Sequence, residues 1–168
     1  DWLQNLPNGA PLSLYLHIPY CHEMCWYCGC HTKATRRYAP VRDYARILEA
    51  EITCIANTIG RRQTVSHIHW GGGTPTILSN NDLDAVLAGL RDRFEFASDA
   101  EIAIEADPRT LTYEKTVALA DAGINRASLG VQDCNAHVQA AINRLQPFEQ
   151  TVAAVTALRA VGIQRINI

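Results

Sequence analysis

Five stretches that read as strands, the first alternating strictly every second residue, are separated by stretches with helical spacing and leave this chain few ways to fold. In residues 12–18, Leu12, Leu14, Leu16 and Ile18 take one side, while Ser13, Tyr15 and His17 take the other. That period predicts a strand. Residues 39–59 then carry Val41, Tyr44, Leu48, Ile52, Ile55 and Ile59 at intervals of three or four, and Gly60 follows as a stop. Residues 64–70 predict a second strand. Leu83, Val86, Leu87, Leu90 and Phe94 predict a helix that opens at the capping box of Ser79 and Asp82. A third strand is predicted over 101–107, a short helix over 111–122 and a fourth strand over 124–132. A helical turn near His137, a helix opened by Pro147 and a fifth strand over 163–168 complete the series. Residues 1–11, with Pro7, Asn8, Gly9 and Pro11, read as an irregular lead-in.

The strands decide between two ways of arranging this order. A doubly wound sheet and a closed or partial barrel both use parallel strands with helical crossovers. Buried parallel strands normally read apolar on both faces. These keep a polar face throughout, at 13/15/17, 67/69, 101/103/105/107 and 126/128/130/132. Such a face must line something wet or ligand-filled, because unpaired polar groups are costly in a dry core. The expectation is therefore α/β, a partial (β/α) barrel over residues 12–168, with four units and the first strand of a fifth. Ending on a strand leaves a parallel edge unpaired, so the chain is expected to be a fragment lacking later barrel units.

Between the first strand and the first helix lies Y-C-H-E-M-C-W-Y-C-G-C, residues 20–30, holding four of the six cysteines. Cys21, Cys25 and Cys28 are spaced C-x3-C-x2-C, and Cys30 follows. Thiolates are soft ligands suited to iron–sulfur clusters and zinc. A short loop can supply three corners of a 4Fe–4S cube and leave the fourth iron open. Structural zinc usually takes two well-separated ligand pairs, and no second pair is present. His22 and His31 keep a zinc shell open as the alternative. A disulfide framework is disfavoured, since no signal peptide is seen ahead of the cluster and the chain is long enough to need no staples. Cys54 is expected to pack as a small hydrophobe within its helix.

The net charge of −2 gives no reason to expect a nucleic-acid or anionic-membrane surface. No apolar run approaches the ~18 residues of a membrane-spanning helix. Thiols held as cluster ligands point to a reducing cytoplasm.

C-x3-C-x2-C after a strand resembles the signature of radical S-adenosylmethionine (SAM) enzymes. The longer H-I-P-Y-C-H-E-M-C-W-Y-C-G-C is similar to the oxygen-independent coproporphyrinogen III oxidases within that superfamily. A related haem-chaperone branch usually lacks the cysteine found here as Cys30. The resemblance implies a partial barrel of the radical SAM type, with Cys21, Cys25 and Cys28 on a 4Fe–4S cluster whose open iron is chelated by SAM. It implies that Gly72, Gly73 and Thr74 contact the amino-acid end of SAM, and that Glu105, in E-A-D-P-R, holds it. Tyr15 stands beside SAM and Tyr27 on its adenine by the same likeness. Gln132 and Arg144 match positions that serve a second SAM, whose next ligand, an Asp, is expected just past Ile168. Cys30 is either a structural thiol or a group near the substrate. His67 and His69 receive no role from the resemblance and are expected to be hydrogen-bonded structural histidines. The implied reaction splits SAM with one electron, abstracts hydrogen from two propionates of coproporphyrinogen III and releases carbon dioxide to give protoporphyrinogen IX. The implied partners are that substrate and an electron donor such as a flavodoxin-type reductant, with no nucleic acid or membrane, and a monomer is expected. The alternative on the same scaffold is a haem chaperone.

Overall fold

The computed structural model describes residues 2–168; Asp1 of the lead-in lies outside the described residues. The elements are β1 (Leu12–Ile18), β2 (Tyr20–Cys21), β3 (Lys33–Ala34), α1 (Ala39–Ile59), β4 (Thr64–Gly72), α2 (Asn80–Arg93), β5 (Glu95–Ala106), α3 (Tyr113–Asp121), β6 (Arg126–Leu129), α4 (Ala136–Ala141), α5 (Phe148–Ala160) and β7 (Arg165–Asn167). β1, β4, β5, β6 and β7 form a five-stranded parallel sheet in that order. Each new strand joins the same edge. With right-handed crossovers, that order puts every helix on one face. A doubly wound sheet instead reverses its strand order partway. This is the α/β partial-barrel arrangement, and the polar strand faces are what distinguished it in the sequence.

The helix-facing side is one apolar cluster. Leu16, Ile18, Ile68, Trp70, Ile102, Ile104, Ala127 and Leu129 from the strands meet Val41, Leu48, Ile52, Leu83, Leu87, Leu119 and Leu158 from the helices. Each fully buried aliphatic side chain there contributes roughly 1.5–3 kcal/mol. α1 ends at Gly60, whose left-handed φ of 73° lets its N–H reach Ala56 O. α2 starts at Ser79, whose Oγ accepts from Asp82 N at 3.1 Å, as the capping box predicted.

The opposite face carries the polar residues in register. Ser13, His67 and Glu101 share one layer. Tyr15, His69, Ala103, Arg126 and Arg165 share the next. Glu105, Ser128 and Asn167 share a third. These groups pair both within a layer and between layers. Glu101 accepts from Arg126 at 3.2 Å and Arg165 at 3.5 Å and lies 3.6 Å from His67. Asn167 donates to Ser128 Oγ at 3.4 Å. His67 and His69 are both paired with carboxylates.

Several boundaries differ from the expectation. β5 begins at Glu95 rather than 101. Glu95 and Phe96 pair with Thr64 and Val65, and the register then shifts so that Glu101 meets His67. That irregularity hides the strand's first half from a period-two reading. β5 also stops before Asp107, whose carboxylate accepts from Arg109 N at 3.0 Å and turns the chain. β6 is confined to 126–129. Ahead of it, the Asn125 side chain accepts from Ile102 N and donates to Ala100 O, so a side chain extends the sheet edge. Cys54 is exposed rather than packed: it falls on the solvent arc of α1, whose buried face is Val41, Ala45, Leu48, Ile52 and Ile59.

Candidate cofactor site

The site gathers where the parallel strands end. β1 runs into Pro19, and β2 immediately pairs with β3, Tyr20 opposite Lys33 and Cys21 opposite Ala34. The two-residue ladder closes the cysteine loop at its base. Thr35 N donates to Cys21 O at 2.9 Å and Lys33 N to Pro19 O at 3.0 Å. Inside the loop, Cys28 N donates to Cys25 O at 3.1 Å. On its far side the loop leans on the end of α4. Trp26 N donates to Ile142 O at 3.0 Å, and Asn143 Nδ2 donates to Met24 O at 2.8 Å. Asn143 itself takes φ 54°, a left-handed conformation that asparagine tolerates better than most residues.

The glycine run forms the wall facing this loop. Gly73 N donates to Ile18 O and Thr74 N to Tyr20 O, both at 2.8 Å. Each glycine has its own steric reason. A Cβ on Gly71 would stand 2.8 Å from the Tyr15 ring and 3.0 Å from Glu105 Oε1. One on Gly72 would meet the His17 ring at 2.7 Å, and one on Gly73 would meet Tyr20 O and Thr32 Oγ1 at 2.5 Å. The run therefore makes room for the protein's own lumen side chains, while the N–H groups of Gly73 and Thr74 are taken up by Ile18 O and Tyr20 O.

These segments enclose a cavity of about 320 Å³. It is lined by Cys21, Cys25, Cys28 and Cys30, by Tyr27, by Gly72, Gly73 and Thr74, and by Glu105, Gln132 and Arg144. Tyr15 lies one layer deeper along the strands. Its ring stacks on His69 at 5.9 Å, and His69 Nε2 is 3.1 Å from Glu105 Oε1. His17 Nε2 lies 2.9 Å from the carbonyl of His31. A carbonyl only accepts, so Nε2 carries the proton and Nδ1 accepts from Tyr15 Oη at 3.0 Å. Burial, then the charges of Glu105 and Cys30, push the Tyr15 hydroxyl above its ordinary value. Burial, then Cys28 as hydrogen-bond partner and neighbouring charge, push the Cys30 thiol up as well. Both groups therefore stay protonated at neutral pH.

Two residues of the cavity wall escaped the sequence reading. Asp107 and Arg109 sit in the same E-A-D-P-R string from which only Glu105 was singled out. Arg109 donates to Asp107 at 2.6 Å, and Arg144 donates to it at 3.2 Å from across the cavity. Burial alone would raise the Asp107 carboxyl. Hydrogen bonds from Arg109 and the charges of both arginines outweigh it and hold the group below the usual carboxylate range. Hydroxyls and guanidiniums also address the thiols. Thr74 and Thr32 donate to Cys21 Sγ at 3.4 and 3.5 Å, and Arg144 donates to Cys25 Sγ at 3.4 Å. Among the described residues, no three His, Cys, Asp or Glu side chains stand close enough to hold a metal ion. The three thiols share the cavity without meeting at one point.

Known proteins share this sequence and fold. The chain is 54% identical over 166 residues to an oxygen-independent coproporphyrinogen III oxidase of Bradyrhizobium diazoefficiens, covering 99% of this chain and 37% of that protein. It is 43% identical over 158 residues to the enzyme of that name from Escherichia coli, covering 94% of this chain and 34% of the relative. The chain thus spans little more than a third of the curated relatives it matches. The solved structure of the Escherichia coli coproporphyrinogen III oxidase, described as a radical SAM enzyme, superimposes with a TM-score of 0.93 at 40% identity, over 99% of this chain and 38% of that one. A structure of anSMEcpe with bound AdoMet gives a TM-score of 0.61 at 16% identity, over 94% of this chain and 43% of that one, a likeness of fold alone. A family model described as the radical SAM superfamily matches residues 15–168, and with the parallel half-barrel and the thiol-lined cavity at its strand ends this chain belongs to the radical SAM superfamily.

Proposed function

We propose that this chain carries the cluster- and SAM-binding part of an oxygen-independent coproporphyrinogen III oxidase (dehydrogenase), acting in porphyrin and haem biosynthesis. The observation that carries this reading is the convergence of Cys21, Cys25 and Cys28 with Gly72–Thr74, Glu105, Gln132 and Arg144 on one cavity. The donor set fits a cuboidal cluster better than a single ion. A cube interposes iron and sulfide between its ligands, so the cysteines need not touch. Hydrogen-bond donors already aimed at two of the sulfurs suit thiolates that remain strong acceptors.

When bound, a 4Fe–4S cluster with SAM supplies one-electron chemistry: reductive cleavage of the sulfonium and oxidation of a propionate β-carbon. The chain's own residues do the rest. Glu105, held by His69, offers a carboxylate to the SAM ammonium, while Gly72, Gly73 and Thr74 form the close-approach wall beside its amino-acid end. Tyr27 gives a face for the adenine. Cys30, protonated, lines the cavity, and Tyr15, also protonated, lies one layer beneath it behind Gly71; on this reading these groups stand nearest the reacting substrate. Gln132 and Arg144 belong to the second SAM position. Each propionate that loses one hydrogen, one carbon dioxide and one electron becomes a vinyl group. An external acceptor takes that electron, and a flavodoxin-type donor supplies the one that reduces the cluster. No helix among the described residues is long and apolar enough to cross a membrane, and the site's free thiols fit a cytoplasmic setting.

The test is anaerobic turnover by the full-length reconstituted protein with SAM, reductant and coproporphyrinogen III. The expected result is protoporphyrinogen IX with two carbon dioxide molecules per turnover. Stoichiometric haem capture without decarboxylation would instead favour the haem-chaperone alternative. The relatives named above are oxidases by name, which supports the enzyme.

A further inference from the structure

Cys21 and Cys25 meet different kinds of donor. Cys21 Sγ receives two neutral hydroxyls, from Thr74 and Thr32. Cys25 Sγ faces two guanidiniums, Arg144 Nη1 at 3.4 Å and Arg109 Nη2 at 3.9 Å. Both arginines are nearly buried, with side chains 9% and 14% exposed. Asp107, itself 9% exposed, holds them. Its Oδ1 accepts from Arg144 Nη2 at 3.2 Å, and both its oxygens accept from Arg109 Nε at 3.0 Å. Asp107 offsets one of the two cations and Glu23 also acts on Arg109, but the groups that face this sulfur directly are the two guanidiniums, in a place where water screens them poorly.

Reducing a cluster adds negative charge. Hydrogen bonds to its sulfurs and nearby positive charge favour the reduced form and raise the potential. Arg144 also donates to Gly130 O, and its resemblance to a SAM contact gives it another task. Arg109 has none.

We propose that Arg109, clamped by Asp107 against Cys25, tunes the cluster: it raises the reduction potential so that a weak biological reductant can deliver the electron. Asp107 is a positioning residue, acting through the guanidiniums it orients. The inference rests on the reading of Cys21, Cys25 and Cys28 as cluster ligands.

The experiment is a redox titration of the full-length, anaerobically reconstituted protein without SAM, followed by the paramagnetic signal of the reduced cluster. Iron and acid-labile sulfide are measured on the same samples. Arg109→Gln should keep both contents and lower the reduced-to-oxidised ratio at a fixed poise about tenfold, which is about 59 mV for a one-electron couple. Arg109→Lys keeps the charge but loses the fork, and should recover more than half of that shift. An unchanged midpoint in a fully loaded Arg109→Gln protein overturns the inference. So does Arg109→Lys behaving no better than Arg109→Gln. If neither variant loads iron while the parent does, Arg109 is structural and the inference fails. A parent without iron and sulfide overturns the cluster reading itself, which is a different outcome.

Discussion

Gly73→Ala tests how the glycine wall holds the cysteine loop. The added Cβ would lie 2.5 Å from Tyr20 O, 2.5 Å from Thr32 Oγ1 and 2.8 Å from Tyr20 C. An ordinary carbon contact needs about 3.5 Å, so the two strands must separate by roughly 1 Å. The same strands are joined by the bonds Gly73 N to Ile18 O and Thr74 N to Tyr20 O, each 2.8 Å long. That separation takes them out of good hydrogen-bonding range. Overpacking costs about 1–3 kcal/mol and each weakened backbone bond about 0.5–1.5 kcal/mol. The expected loss is about 2–6 kcal/mol, read as a lower urea midpoint. Because Tyr20 leads directly into Cys21, iron retention should fall as well. Gly89→Ala is the control. It lies inside α2, its Cβ would meet only Arg93 Nη1 at an ordinary 3.6 Å, and alanine in a helix interior gains about 0.5–1 kcal/mol. Opposite signs are therefore expected for two identical substitutions. A Gly73→Ala protein with the parent's midpoint and iron content would refute the steric reasoning.

Cys21→Ala, Cys25→Ala and Cys28→Ala should each abolish stable cluster assembly, whereas Cys30→Ala should retain iron and sulfide; a Cys30 variant that cannot hold iron would contradict that division. Acid should expose the Asp107 clamp. Its folded value is depressed, so its contribution is fully present above the unfolded carboxyl value of about 3.9 and is lost as pH falls through the lower folded value. Urea midpoints measured from about pH 6 downward should drop more steeply below about pH 4 in the parent than in Asp107→Asn, and identical acid limbs would contradict the clamp.

Periodicity made β1 and α1 readable to the residue, because a long amphipathic run with a left-handed glycine stop has one interpretation. The polar strand faces carried more, since they pointed to a lumen before any topology was known, and the strand order agrees. β2 and β3 were invisible because two residues have no period, and their pairing depends on the cysteine loop folding back on itself. The start of β5 was lost at the register shift near Val65 and His67. At the site, cysteine spacing and the glycine run marked two walls. The Asp107–Arg109–Arg144 clamp was not legible, because Arg144 lies 37 residues from Asp107 and reaches it only through the strand-end geometry. The resemblance gives Gly72 and Gly73 a ligand to contact, and nothing in the spacing of the glycine run says that Tyr15, His17 and Thr32 already occupy the other side.

The central claim is that Cys21, Cys25 and Cys28 hold a cluster with one corner left for SAM. The paramagnetic resonance spectrum of the reduced, anaerobically reconstituted protein, recorded before and after adding SAM, tests it most directly. The account predicts a cluster signal that changes shape when SAM is added. A protein with no acid-labile sulfide, or a cluster signal indifferent to saturating SAM, would contradict it.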